Sequence, residues 1–141
     1  MLQTLSIKNI VLIDHIEIDF TDGLCVLTGE TGAGKTILLE ALGLALGNRY
    51  DSSLIRKDMI SGTVSASFLI KKNEKLKIIL SNNMIEFEDN LILRRAIFSD
   101  GKSKAFINDE PVTVGFLKEI GSHLAEVQNQ HANYDLLTSY R

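Results

Sequence analysis

The chain has 141 residues, 45% of them hydrophobic and 23% charged, with one proline and ten glycines. That is length and apolar content enough for one domain with its own core, and too little proline and charge for a disordered chain. A formal net charge of −3 gives no global basic field for nucleic acid, and the single cysteine, Cys25, excludes an internal disulfide and a cysteine-based zinc site.

Residues 1–9 alternate loosely, with Leu5 and Ile7 on one face. Over 11–20, Ile16, Ile18 and Phe20 alternate with His15, Glu17 and Asp19, the period of a half-buried strand. Asp22-Gly23 is a turn signal. Residues 24–28 form a short apolar run of buried-strand type, which makes Cys25 a structural thiol rather than a nucleophile. An apolar-rich helical run over 37–46 stops near Gly47-Asn48, as at a C-terminal cap. Asp51-Ser52-Ser53 is expected to cap a short helical turn through Lys57. Residues 63–70 and 75–80 read as strands, the second ended by Asn82-Asn83. Residues 91–97 and 104–107 flank Ser99-Asp100-Gly101-Lys102, a hairpin turn. Asn108-Asp109-Glu110-Pro111 is expected to break the chain, and Thr113 to cap a short helix through Ile120. Residues 124–127 read as one more buried strand, followed by a loop at Gln128-Asn129-Gln130-His131. There is no internal repeat, no basic-then-apolar leader and no apolar run of about 18 residues, so a cytoplasmic location is expected.

The octapeptide Gly29-Glu30-Thr31-Gly32-Ala33-Gly34-Lys35-Thr36 matches G-x-x-x-x-G-K-[ST] in full. It lies between a strand-like and a helix-like run, where a phosphate-binding loop must lie. Glycines let successive backbone N–H groups point at phosphate oxygens, and the helix that follows adds its positive end. Lys35 is placed to reach the β- and γ-phosphates, and the Thr36 hydroxyl to ligate Mg²⁺. ATP and Mg²⁺ are the expected cofactors.

Two strands precede the loop and a strand-rich stretch follows its helix. Small nucleotide kinases start with the loop's strand instead, and an ABC-type ATPase head has the order seen here. From that point the chain resembles the N-terminal part of the RecN family, SMC-like DNA-repair ATPases. Leu5-Ser6-Ile7-Lys8-Asn9 with Val11-Leu12-Ile13-Asp14 is similar to the family's opening strand and turn. The phosphate loop with Ile37-Leu38-Leu39-Glu40-Ala41-Leu42 is similar to its first helix, and Glu30-Thr31 is distinctive. Gly47-Asn48-Arg49 with Ile55-Arg56 resembles the segment after that helix. Arg94-Arg95, Lys102-Ser103-Lys104-Ala105-Phe106-Ile107-Asn108 and Pro111-Val112-Thr113 resemble its hairpin. Val127-Gln128-Asn129-Gln130-His131 with Leu136-Leu137 resembles its Q-loop segment. Thr36 stands where the family commonly has Ser, and Gln128 and Asn133 stand where histidines are common.

The resemblance implies an α/β fold: the N-terminal lobe of a phosphate-loop ATPase head of ABC/SMC type, with an antiparallel β-layer beside the nucleotide-binding sheet. It implies one ATP-binding domain over 1–141, acting in recombinational repair of DNA damage. It also implies a role for Gln130 near Mg²⁺ and the attacking water, because an amide offers donor and acceptor without charge. Locally, a surface-loop amide explains Gln130 as well. Hydrolysis needs a carboxylate at the end of an apolar strand and a signature loop. In the family both lie in the C-terminal half of the head. Leu124-Ala125-Glu126 is too short for the first, and Ile60-Ser61-Gly62-Thr63 lacks the second glycine of the other. The expected partner is therefore a C-terminal half-head or a second copy, and the expectation is binding without turnover by this chain alone. If the full protein exists, the nucleoid is its expected location.

His15, His123 and His131 are scattered, without metal-site spacing. Arg94, Arg95, Lys102 and Lys104, and likewise Lys71, Lys72, Lys75 and Lys77, form basic clusters that read as solvated faces or as contacts to DNA phosphates. Two other readings stay open. One is a small phosphate-loop phosphotransferase, for which Arg49 and Arg56 stand in for substrate and lid residues. The other is a non-catalytic remnant or interaction module.

Overall fold

The computed structural model describes residues 2–20, 32–70 and 73–131, with the backbone alone for 32–36 and 125–131. Six strands form one sheet: β1 (Leu2–Ile10), β2 (Ile13–Asp19), β3 (Ser61–Leu69), β4 (Asn90–Phe98), β5 (Ser103–Ile107) and β6 (Glu110–Val112). Their order is β2-β1-β3-β4-β5-β6, and every pairing among the described residues is antiparallel. Three helices accompany them: α1 (Gly32–Ala45), α2 (Glu74–Asn82) and α3 (Val114–His131).

Period-2 patterning decides which face is covered. Leu5, Ile7, Val64, Ala66, Phe68, Leu91, Leu93, Ile97, Ala105 and Ile107 all point to one face and are buried. Each large member contributes about 1.5–3 kcal/mol of burial. On α1 the buried positions are Leu38, Ala41, Leu44 and Ala45, a helical stripe whose alanines allow a close approach to β1, β3 and β4. On α3 they include Leu117, Ile120 and Leu124, and that helix packs beside β5. The opposite face carries a row in register, Glu17, Ser6, Ser65, Arg94, Phe106 and Pro111.

Five local expectations change. Residues 75–80 are helical, not a strand. Asn73 caps α2, its Oδ1 accepting from Leu76 N at 3.0 Å, and Leu76 and Leu80 are buried four residues apart. The segment Asn108-Asp109-Glu110-Pro111 turns the chain instead of breaking it. Asn108 and Asp109 have φ of 50° and 68°, the left-handed pair of a tight hairpin, and Pro111 sits on the short edge strand where a missing N–H is harmless. The helical turn after Asp51 covers Ser52–Leu54 and stops short of Lys57. Thr113 caps α3 as expected, its Oγ1 accepting from Phe116 N at 3.0 Å, but the helix runs on to His131. The strand expected over 124–127 is therefore helix, because Leu117, Ile120 and Leu124 recur at helical spacing toward the core. The Asp22-Gly23 turn, the strand over 24–28 and Cys25 lie outside the described residues.

Candidate functional site

Gly29, Glu30 and Thr31 lie outside the described residues. Gly32, Ala33, Gly34, Lys35 and Thr36 open α1, so the second half of the octapeptide is the first turn of a 14-residue helix. The first N–H groups of a helix have no partner within it. No acidic side chain occupies this first turn to compete for them. That donor set suits a phosphate, and the helix dipole favours negative charge there. The residues present thus fit the triphosphate of ATP. Thr36 has a hydroxyl, one of the oxygen donors that suit Mg²⁺, and the side chains of Lys35 and Thr36 lie outside the described residues.

The far end of α1 is fixed on three sides. The helix closes with Asn48 N donating to Gly43 O at 2.9 Å and Gly47 N to Leu44 O at 3.1 Å. Gly47 has φ +95°, which only glycine adopts cheaply, so this is a Schellman cap. From the sheet, Arg95 Nη1 donates to Leu44 O at 3.1 Å and Asn48 O at 2.8 Å. Arg95 is 3% exposed and its Nε has no partner among the described residues. Burial lowers its pKa, against a smaller raising effect of Tyr50, and the guanidinium stays charged at neutral pH. Its charge lies at the negative end of α1, where a cation is stabilising. Beside it, the Tyr50 hydroxyl donates to Lys102 O at 2.7 Å, with Phe98 O at 3.1 Å as a second acceptor. The β4–β5 hairpin thereby grips the chain as it leaves α1.

Arg95 is the residue that reading the basic cluster as one surface misses. It follows Leu91 and Leu93 and precedes Ile97 at two-residue spacing, so strand period alone places it inward. The cluster is split between faces. Arg94 lies on the other side, its guanidinium carbon 4.1 Å from the centre of the Phe106 ring, and Lys104 Nζ lies 5.8 Å from that of Phe98. Lys75 and Lys77 are on α2, not a strand, and Lys77 pairs with Glu74 at 3.9 Å. Lys71 and Lys72 are outside the described residues.

Gln130 belongs to the last turn of α3, and its side chain is outside the description. Its expected place in a loop after a strand is replaced by helical backbone, so its role rests on the resemblance alone. His15 is exposed on β2, His123 lies within α3 and not at its end, and His131 closes it. Among the described residues no group of three His, Cys, Asp or Glu could hold a metal. Arg56 pairs with Asp14 at 3.1 Å, which ties it to the β1–β2 hairpin. The Ile60-Ser61-Gly62-Thr63 stretch leads into β3, where a Cβ on Gly62 would stand 2.7 Å from Asn9 O, so it is strand and not a signature loop. No helix among the described residues is long and apolar enough to cross a membrane.

A family model described as an AAA domain matches residues 4–140. The DNA repair protein RecN of Haemophilus influenzae is 40% identical over 140 residues, which is 97% of this chain and 25% of that protein. The chain thus spans about a quarter of the length of the curated relatives it matches. A solved SMC ATPase, studied for ATP-driven dimerization and DNA-stimulated activation, superposes with a TM-score of 0.65 at 20% identity, covering 84% of this chain and 76% of that one. The recombination mediator RecF in its ATP form gives 0.58 at 15% identity, covering 83% and 30%. At these identities the likeness shows the fold, that of a phosphate-loop ATPase head. The chain belongs to the AAA domain family, and it is similar to the N-terminal part of the DNA repair protein RecN.

Proposed function

We propose that residues 1–141 form the ATP-binding N-terminal lobe of a RecN-like ATPase that acts in recombinational repair of damaged DNA. The observation that carries this reading is the complete octapeptide in the sequence, whose second half, Gly32–Thr36, opens α1, a helix whose first turn has no acid and whose last turn is clamped by Arg95. A rigid helix with free N–H groups at one end is a preorganised phosphate site.

In this reading the backbone N–H groups of 29–36 cradle the α- and β-phosphates. Lys35 holds the β- and γ-phosphates by charge-assisted hydrogen bonds. The Thr36 hydroxyl orients Mg²⁺, which when bound offsets phosphate charge. Gln130 positions the attacking water after binding. The Mg²⁺-holding carboxylate and the signature loop come from a C-terminal half-head, of the same protein or of a second copy. Hydrolysis then needs that half, and this chain alone binds without turnover. DNA is engaged by the full assembly, and this chain by itself has weak affinity for it or none, in line with its net charge of −3.

Nucleotide binding and hydrolysis measured on the chain alone, then with the C-terminal part of a RecN-like protein supplied, test the reading. Binding in both cases with steady hydrolysis only in the second is expected. Steady hydrolysis by the chain alone, abolished by Lys35→Ala, contradicts the division of labour. Absence of nucleotide binding in both cases leaves the interaction-module reading.

A further inference from the structure

Two glycines, Gly47 and Gly121, lie on the seam between the C-terminal cap of α1 and helix α3. A Cβ built on Gly121 of α3 would run into the Leu46 carbonyl oxygen and stand 3.0 Å from the Leu46 carbonyl carbon. A Cβ on Gly47 would stand 2.5 Å from Lys118 Cα and 2.7 Å from its N. The obstacles are backbone atoms, so relief requires the two elements to part, not a side chain to swing. The contacts step in opposite chain directions, Leu46 against Gly121 and Gly47 against Lys118. By contrast, a Cβ on Gly115 at the start of α3 would meet only Thr113 Oγ1 at 3.9 Å.

We propose that the seam formed by Leu46 against Gly121 and Gly47 against Lys118 is a positioning element for ATP hydrolysis, setting the spacing between the helix that opens in the phosphate loop and the helix that carries Gln130. This rests on the role given to Gln130 above. Lys35 lies twelve residues before Gly47, and Gln130 nine residues after Gly121 on α3. Backbone held against backbone is a stiffer spacer than side chains that can change rotamer. Parting the seam displaces one arm against the other, and misplacing reacting groups by about 1 Å costs about a hundredfold in rate. Nucleotide binding uses the loop and the start of α1, and does not need the position of α3. The signature is therefore a lower kcat with affinity preserved.

The experiment uses a complete RecN-like protein that contains this chain. Single-turnover hydrolysis, ATP affinity and thermal midpoint are measured for the parent, Gly121→Ala, Gln130→Ala, the double variant and Gly115→Ala. Gly121→Ala is expected to slow hydrolysis about tenfold or more with affinity within about twofold. The double variant should be no slower than Gln130→Ala alone, since the seam acts through Gln130. Gly115→Ala should match the parent. A slow Gln130→Ala combined with a parental Gly121→Ala, or with additive losses, overturns the positioning role and leaves Gln130 in place. A parental rate for Gln130→Ala removes its role and this inference with it. If Gly121→Ala does not fold, the inference is overturned, because the seam then serves the fold and not the spacing of reacting groups.

Discussion

Arg95 Nη1 stands 3.1 Å from the carbonyl oxygen of Leu44, joining the middle of the sheet to the last turn of the phosphate-loop helix. Two effects oppose each other there. Two charge-assisted hydrogen bonds, about 1.5–3 kcal/mol each, and a favourable place on the helix dipole stabilise the arrangement. Desolvation of a guanidinium with no carboxylate partner among the described residues works against it. Arg95→Met should therefore cost less than two full bonds, about 2 kcal/mol, and lower the thermal midpoint by about 6 °C. Calorimetry of the chain would show it. A variant as stable as the parent means that the clamp contributes nothing net.

Tyr50 supports the same junction from its other side. Tyr50→Phe keeps the ring beside Arg95 and removes only the hydroxyl, which donates to Lys102 O with Phe98 O as second acceptor. The expected loss is about 1 kcal/mol in a denaturant midpoint, with an unchanged slope. A changed slope would point to altered compactness instead.

The β5–β6 turn should respond in opposite directions at its two residues. Asn108 Oδ1 accepts from Ile92 N at 2.8 Å, and its Nδ2 donates to Glu86 O at 2.8 Å. Asn108→Ala loses both bonds at φ 50°, where alanine is strained, and should cost about 1–3 kcal/mol. Asp109, at φ 68°, makes the pair Asn-Asp where Asn-Gly is preferred. Asp109→Gly should be stabilising by about 0.5 kcal/mol. Parallel urea titrations read both signs, and a destabilising Asp109→Gly would contradict the turn assignment.

Much of this was legible in the residues themselves. The strands at β1, β2, β3, β4 and β5 follow from alternation, and the Ser99–Lys102 hairpin and the Thr113 cap from turn and cap chemistry. The failures share one cause, which is short apolar runs that fit two periods. Leu76, Ile78 and Leu80 alternate like a strand, and Leu76 and Leu80 are equally a helical i,i+4 pair; the Asn73 cap tips the balance. Leu124 and Val127 look like a strand until Leu117 and Ile120 are counted with them. The Arg95 clamp was readable from strand parity, but a run of cations invites a single-surface reading. The seam of Leu46 and Gly47 against Lys118 and Gly121 was not readable, because it depends on where the chain leaving α1 meets α3, and that is decided by tertiary packing. The octapeptide was legible as a motif, and α1 begins within it.

The claim that residues 29–36 bind nucleotide is tested most directly by titrating ATP and Mg²⁺ into the folded chain, parent against Lys35→Ala. The variant loses one charge-assisted phosphate contact, so its affinity should fall about tenfold to a hundredfold while its thermal midpoint without nucleotide stays unchanged. Equal affinities for the two folded proteins would contradict the assignment of the site.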